Sequence, residues 1–375
     1  MRYKVNIFAI VFFFALSLPF GTTLARRDAP RFTIFFAGDL LLANESQKKI
    51  NHNGIDYPFN RIKEELLKYD FVFANLEVPI TNRGKPVIGK PYVFRLLPNE
   101  AKCLNDLRID AVSLSNNHIL DYGIEGMEDT IRILNAMNIR HSGAGKNLAE
   151  ARRPAILSTR GVRICILSYC NRPPEHFYAT DNTPGTAPLD LALIRDDIAS
   201  WKNGHTIIIV SLHWGIEHTH VPLQSQVETA RAIIDAGADV IIGHHPHWPQ
   251  GIELYKGKPI AYSLGNFIGG YYNPVERDNI ALAITFAGTS CERIKVIPIA
   301  GRNSHILFQP FVLKGPSAAW TLNLVRNLSL PFNTDIRISG DVGFVEPAKK
   351  KQEPSSKDSP SDKKASPTTR TQNLK

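Results

Sequence analysis

The chain has 375 residues, 43% of them hydrophobic, and a formal net charge of +9. That is enough apolar material to bury a full core in one large domain or two ordinary ones. The charge is concentrated at the ends. Residues 347–375 hold eight basic and three acidic side chains, and Arg2 and Lys4 add two more positive charges, which leaves only +2 for residues 26–346. The body of the chain therefore carries no electrostatic case for a nucleic-acid partner. Four cysteines in a chain of this length exclude a disulfide-built scaffold.

In chain order, Arg2 and Lys4 precede the apolar run Ile7–Leu18, and Thr23-Leu24-Ala25 ends in small residues. This is the pattern of a secretory signal peptide over residues 1–25. It predicts an exported protein, periplasmic or at the cell surface. An apolar run of about a dozen residues is short for a bilayer-spanning helix, so the leader is either cleaved or retained as an anchor. The main domain is expected over residues 31–315, with an extension over 316–346. Residues 347–375 are rich in Lys, Ser, Pro and Thr and contain no aromatic residue, a composition that cannot bury enough surface to fold.

From Arg31, short apolar runs alternate with longer amphipathic ones. Strands are expected at Phe32–Ala37, Phe71–Ala74, Ala111–Leu114, Val162–Ser168, Thr206–Leu212, Asp239–Ile242 and Ile260–Leu264. Helices are expected at Phe59–Lys68, Asn99–Leu107, Ile124–Asn138, Asp190–Lys202 and Leu223–Ala236, with Gly237 closing the last. Strands alternating with helices indicate an α/β fold with much parallel pairing. After Tyr272 the runs Ile280–Phe286, Arg293–Ile299 and Ile306–Phe311 read as antiparallel strands without clear helices between them. Cys165 and Cys170 fall on one strand, roughly 16 Å apart at 3.3 Å per residue, too far to bridge.

Six of the strand ends are followed by a potential ligand. Ala37 leads into Gly38-Asp39, Ala74 into Asn75-Leu76-Glu77, and Leu114 into Ser115-Asn116-Asn117-His118. Leu212 leads into His213-Trp214-Gly215-Ile216-Glu217, Ile242 into Gly243-His244-His245-Pro246-His247, and Leu264 into Gly265-Asn266. Taken singly, each is also a plausible cap, turn or interior polar residue. In open α/β sheets, however, ligands bind outside the carboxyl ends of the strands. Pro246 biases His245 toward extended backbone, where residues i and i+2 point to the same side. His245 and His247 are thus expected to share a site, with His244 facing away. Asp39, Glu77, Asn117, His213, His245 and His247 together supply imidazole and oxygen donors without thiolate. That mixture suits one or two divalent transition-metal ions, Mn, Fe or Zn.

These motifs, with Asp121-Tyr122-Gly123 and Tyr262-Ser263-Leu264-Gly265-Asn266-Phe267, resemble the CapA family over Phe32–Phe267. That family is named for poly-γ-glutamate capsule synthesis and belongs to the calcineurin-like metallophosphoesterase superfamily. The resemblance implies a four-layer α/β/β/α sandwich with a metal site at the sheet edge. It implies Asp39, Asn117, His213, His245 and His247 as ligands, with Glu77 bridging two ions in place of the usual aspartate. Two ions about 3.5–4 Å apart activate a water and stabilise both attacking and leaving oxygens of a phosphoryl displacement. The resemblance places His118 at the leaving group, with Asp121 orienting it. Glu217, Arg95 and Asn266 are candidates for holding substrate, Arg95 because a guanidinium matches an anionic fork. The expected partners are an anionic cell-surface polymer or its precursor and capsule-synthesis membrane proteins. One departure stands out: Leu41 occupies a position where the superfamily usually has a histidine. Two readings stay open, a metal-dependent hydrolase or a non-catalytic capsule assembly factor with a degenerate metal site.

Overall fold

The structure, a computed structural model, describes residues 29–347 apart from 107 and 173. The leader and the tail beyond Pro347 lie outside the described residues. Four parallel strands come first: β1 (Arg31–Leu40), β2 (Phe71–Leu76), β3 (Ala111–Ser113) and β4 (Arg140–Ser142). The chain then crosses into a second sheet, leaving a small ribbon of β5 (Ala144–Gly145) and, further on, β8 (Gly185–Thr186) beside it. That sheet contains β6 (Ala155–Thr159), β7 (Val162–Cys170), β9 (Thr206–His213), β10 (Val240–His244), β11 (Ile252–Tyr255) and β12 (Lys258–Ala261). Finally the chain returns to the first sheet through β13 (Asn266–Ile268), β14 (Asn279–Ala287), β15 (Ser290–Ile299), β16 (Arg337–Ser339) and β17 (Val342–Val345). The first sheet runs β16-β17-β15-β14-β1-β2-β3-β4, with β13 pairing the end of β1. The second runs β11-β12-β10-β9-β7-β6.

Side-chain alternation makes the layers. Along β1, Phe32, Ile34 and Phe36 enter the core between the sheets, where they meet Ile164, Ile166, Ile207, Ile209, Val240 and Ile242 from the second sheet. The intervening Phe35 and Ala37 face outward, into a cluster that takes Met127 and Leu134 from the helix Gly123–Ala136. The outward residues of the second sheet, Leu167, Ile208, Val210 and Ile241, meet Ile194 and Ile198 of the helix Leu191–Trp201 and Ala230 and Ile233 of the helix Gln224–Asp235. Period-two alternation in strands buried on both faces therefore yields helix, sheet, sheet, helix. Each fully buried Ile or Phe contributes about 1.5–3 kcal/mol. Asp190 caps the helix Leu191–Trp201, accepting from the Ala192 and Leu193 amides at 2.8 and 3.1 Å.

Two expectations are corrected by this arrangement. Ile306–Phe311 is not a strand: the turn Asn303–Ile306 is helical, and Leu307 and Phe308 have φ of 51° and 65°. Ile306 is apolar because it packs with Ala300, Leu313 and Ala318 in a satellite cluster. Helical structure also does follow Tyr272, as the 15-residue helix Gly315–Ser329. It places Leu322 and Val325 in the inter-sheet core, and β17 then pairs with β15, so residues 315–345 are woven into the first sheet. The expected helices at Phe59–Lys68 and Asn99–Leu107 are each broken into a 3-10 turn and a short α-turn. No helix among the described residues is long and apolar enough to cross a membrane.

Close backbone approach sets where the strand ends meet. A Cβ at Gly38 would lie 1.8 Å from the Gly265 carbonyl oxygen, and one at Gly243 would lie 1.9 Å from that of Tyr262. Neither neighbour is a side chain that can swing away. Gly38→Ala is expected to lower the unfolding free energy by roughly 2–3 kcal/mol, read as a shift in the denaturant midpoint with an unchanged slope.

Candidate metal centre at the strand ends

The carboxyl ends of the two sheets bring the donors together. In the first sheet Asp39 is in register with Asn75 of β2 and Asn266 of β13. In the second, His213 of β9 is in register with His244 of β10. β1 extends through Leu40, three residues past the expected end, and its register shifts around Asp39. That irregularity turns Asp39 toward the histidine loop. Its Oδ1 accepts a hydrogen bond from Asn75 Nδ2 at 2.9 Å, and its Oδ2 accepts from the His245 backbone N–H at 3.2 Å.

The histidine loop differs from its sequence reading. His245 and His247 have φ of 94° and 58°, so neither is extended, although their rings do come together at 5.9 Å. The bond from the His245 amide to Asp39 holds this sparsely populated backbone in place, a form of strain that persists only when its surroundings fix it. Nor does His244 face away from the site, since its Nδ1 lies 3.1 Å from Asp39 Oδ1.

Glu77, His213 and His245 offer ligand atoms within 4.8 Å of one another, as do Asp39, Glu77 and His247, and also Glu217, His245 and His247. Glu77 belongs to the first two sets and His245 and His247 to the third. Asn117 Oδ1 lies 2.8 Å from His213 Nε2, and His213 Nε2 lies 3.5 Å from Glu77 Oε1. Both Glu77 oxygens and His245 Nδ1 are buried without a hydrogen-bond partner. A buried carboxylate in that state is costly unless a cation meets it. Burial, reinforced by Asp39, pushes the Glu77 carboxyl well above its usual range. Burial likewise holds His213 and His245 well below the usual imidazole range, which keeps them neutral with a lone pair to give. The residues fit one or two divalent ions, with Glu77 shared.

His247 behaves differently. Burial depresses its pKa, but the Glu77 and Asp39 carboxylates outweigh that and raise it to about 10. Below that pH it is an imidazolium standing beside two acids, and a bound ion must displace its proton. Loading with Mn or Zn at pH 7 is therefore expected to release protons, and apparent affinity is expected to climb as pH rises toward 10. Calorimetric titrations in two buffers of different ionisation enthalpy would show this as a buffer-dependent heat.

Beside the donor cluster stands a second unit. His118 Nδ1 lies 2.7 Å from Asp121 Oδ2, which also accepts from the Phe94 amide at 2.7 Å. Lys90 Nζ bonds the other Asp121 oxygen and the Asn117 carbonyl, and sits 3.1 Å from His118 Nδ1. Asn116 Oδ1 accepts from the His118 and Ile119 amides, folding the turn that presents Asn117 and His118. His118 and Asp121 are thus paired, leaving His118 Nε2 on a ring that lines the cavity.

Among the candidates for holding substrate, Asn266 Oδ1 accepts a 2.8 Å hydrogen bond from His247 Nδ1, and Glu217 lines the same cavity. Arg95 does not. Its guanidinium lies over the Tyr122 ring at 4.7 Å, while its neighbour Phe94 is buried and lines the cavity. Sequence reasoning missed Lys90, which sits in a loop without periodicity, and the Asn75–Asn116 pair, whose side chains bond at 3.1 Å.

The model of the bacterial capsule synthesis protein family, PGA_cap, matches residues 33–271, more than half of the chain and every donor named above. The chain belongs to this family. It is 32% identical over 266 residues to the PGA biosynthesis protein CapA of Bacillus subtilis, covering 70% of each chain. It is 29% identical over 249 residues to the capsule biosynthesis protein CapA of Bacillus anthracis, covering 64% of this chain and 61%, less than two thirds, of that one. Among solved structures, the Haemophilus influenzae NAD nucleotidase is similar at a TM-score of 0.44 and 15% identity, over 80% of this chain and 56% of that one. The layered fold of this family member rests on its own strand order and cores.

Proposed function

We propose that this capsule synthesis family member is an exported, metal-dependent phosphoesterase acting in the synthesis, attachment or release of an anionic cell-surface polymer. The carrying observation is the shared, unpartnered Glu77 set beside the His118–Asp121 pair. When bound at Asp39, Glu77, Asn117, His213, His245 and His247, divalent ions would supply Lewis acidity and lower the pKa of a water. The chain's own residues do the rest. Asp121 fixes the His118 ring through Nδ1, Lys90 balances the Asp121 charge, and Nε2 is left to give a proton to the leaving oxygen. Export is supported by the leader pattern of residues 1–25, and the mass of the protein recovered from the cell envelope tests it.

Leu41 favours the second reading, a non-catalytic assembly factor. This residue is 4% exposed and lines the cavity with an apolar side chain, where the superfamily that the chain resembles usually has a histidine. Turnover decides between the two. The manganese-loaded protein is expected to hydrolyse a phosphodiester, with His118→Ala slower by about 10²–10⁴-fold. Metal bound without turnover of any phosphoester would support the assembly role instead.

A further inference from the structure

The mouth of the metal cavity carries an aromatic surface that the reaction itself does not require. Tyr92, Phe94 and Tyr271 form a cluster with centroid separations of 5.8, 6.2 and 6.4 Å and interplanar angles of 4°, 24° and 21°. Tyr92 and Tyr271 stack nearly parallel, and Phe94 packs against both. Phe94 is buried and supports the face from below, whereas Tyr92 is 57% exposed. The Phe94 ring is 4.4 Å from the His118 ring, so the face begins beside the group that protonates the leaving oxygen. An exposed tyrosine stacked on a second tyrosine leaves apolar area in water, and such area next to a reacting centre marks a ligand surface.

The rest of the lining narrows the ligand. Among the described residues that line the cavity there is no lysine or arginine, whereas Glu217, Glu276, Asn266 and Asn273 are all present. A ring with one apolar face and hydroxyls at its edge matches both features: the face lies on the tyrosines, and the hydroxyls reach carboxylate and amide groups.

We infer that the Tyr92–Tyr271 face binds a pyranose ring on the leaving side of the scissile phosphodiester. This rests on the phosphoesterase reading for its chemistry. The reaction is then hydrolysis of a glycosyl or sugar-alkyl phosphate: water oxygen bonds to phosphorus, and the bond from phosphorus to the sugar oxygen breaks with its electron pair on that oxygen. The sugar oxygen takes the proton from His118 Nε2, and the proton lost by the water restores His118.

The test separates the face from the chemistry. Saturation-transfer NMR on the full chain with methyl glycosides of glucose, galactose and N-acetylglucosamine is expected to show contact to the ring C–H protons of at least one. Tyr92→Ala is expected to weaken that binding by about tenfold, the size of one aromatic contact, while Tyr92→Phe retains it. With the manganese-loaded chain, Tyr92→Ala should raise KM for the matching methyl glycosyl phosphate more than it lowers kcat. Sugar binding through Tyr92 without turnover overturns the phosphoesterase reading and leaves the sugar site on the Tyr92–Tyr271 face standing without its place on the leaving side. The inference is overturned if no glycoside binds, if Tyr92→Ala binds as well as wild type, or if a γ-glutamyl peptide alone occupies the face.

Discussion

Glu77→Gln is expected to abolish paired metal binding and to lower phosphodiester hydrolysis by about 10³-fold, equivalent to ~4 kcal/mol of lost transition-state stabilisation. The carboxylate belongs to two of the three donor sets, so its loss removes a ligand from both positions at once. Stability should respond with opposite signs in the two states. Without metal, wild type holds a buried carboxyl group whose oxygens have no hydrogen-bond partner and which must either bury a charge or take up a proton, and the amide avoids that cost. The metal-free variant is therefore expected to be as stable as wild type or more stable, by roughly 1 kcal/mol. With metal present, wild type gains about 2.7 kcal/mol at a hundredfold excess over Kd, and the variant gains far less. Thermal melts with and without Mn read both signs. A merely structural Glu77 would lower stability in both conditions.

His118→Ala is expected to leave the metal content intact and lower kcat by about 10²–10⁴-fold, the range for removing a general acid. The geometry makes the separation clean. His118 is absent from every donor set, and its Nδ1 is committed to Asp121. Its loss should therefore spare metal affinity, in contrast to His245→Ala, which should lose both. Lys90→Met probes the same unit from behind. It removes the cation from Asp121 Oδ1 and the bond to the Asn117 carbonyl, so it should lower kcat by less than His118→Ala does.

Much of this site is legible in the sequence because its donors follow apolar runs that could only be strands. Asp39, Glu77, Asn117, His213, His245 and His247 converge because parallel strands in both sheets end at one edge, and that edge is implied by the α/β alternation. What the linear pattern hides depends on backbone geometry. A strand irregularity carries β1 on to Leu40, and positive φ at His245 and His247 replaces the extended loop that Pro246 suggests. Lys90 and the Tyr92–Tyr271 contact join residues 28 and 179 positions from their partners, distances no local periodicity spans. Helix Gly315–Ser329 is a different case. Ala318, Leu322 and Val325 sit at helical spacing behind Pro316, a stripe that the strand-like runs before it overshadow.

The most direct measurement is a crystal structure of manganese-loaded protein with anomalous scattering recorded at an energy that reports manganese. Two peaks that share Glu77 are expected, one reached by His213 and His245 and the other by Asp39 and His247. Anomalous density nowhere in contact with Glu77, or its absence from protein saturated with metal, would contradict that expectation.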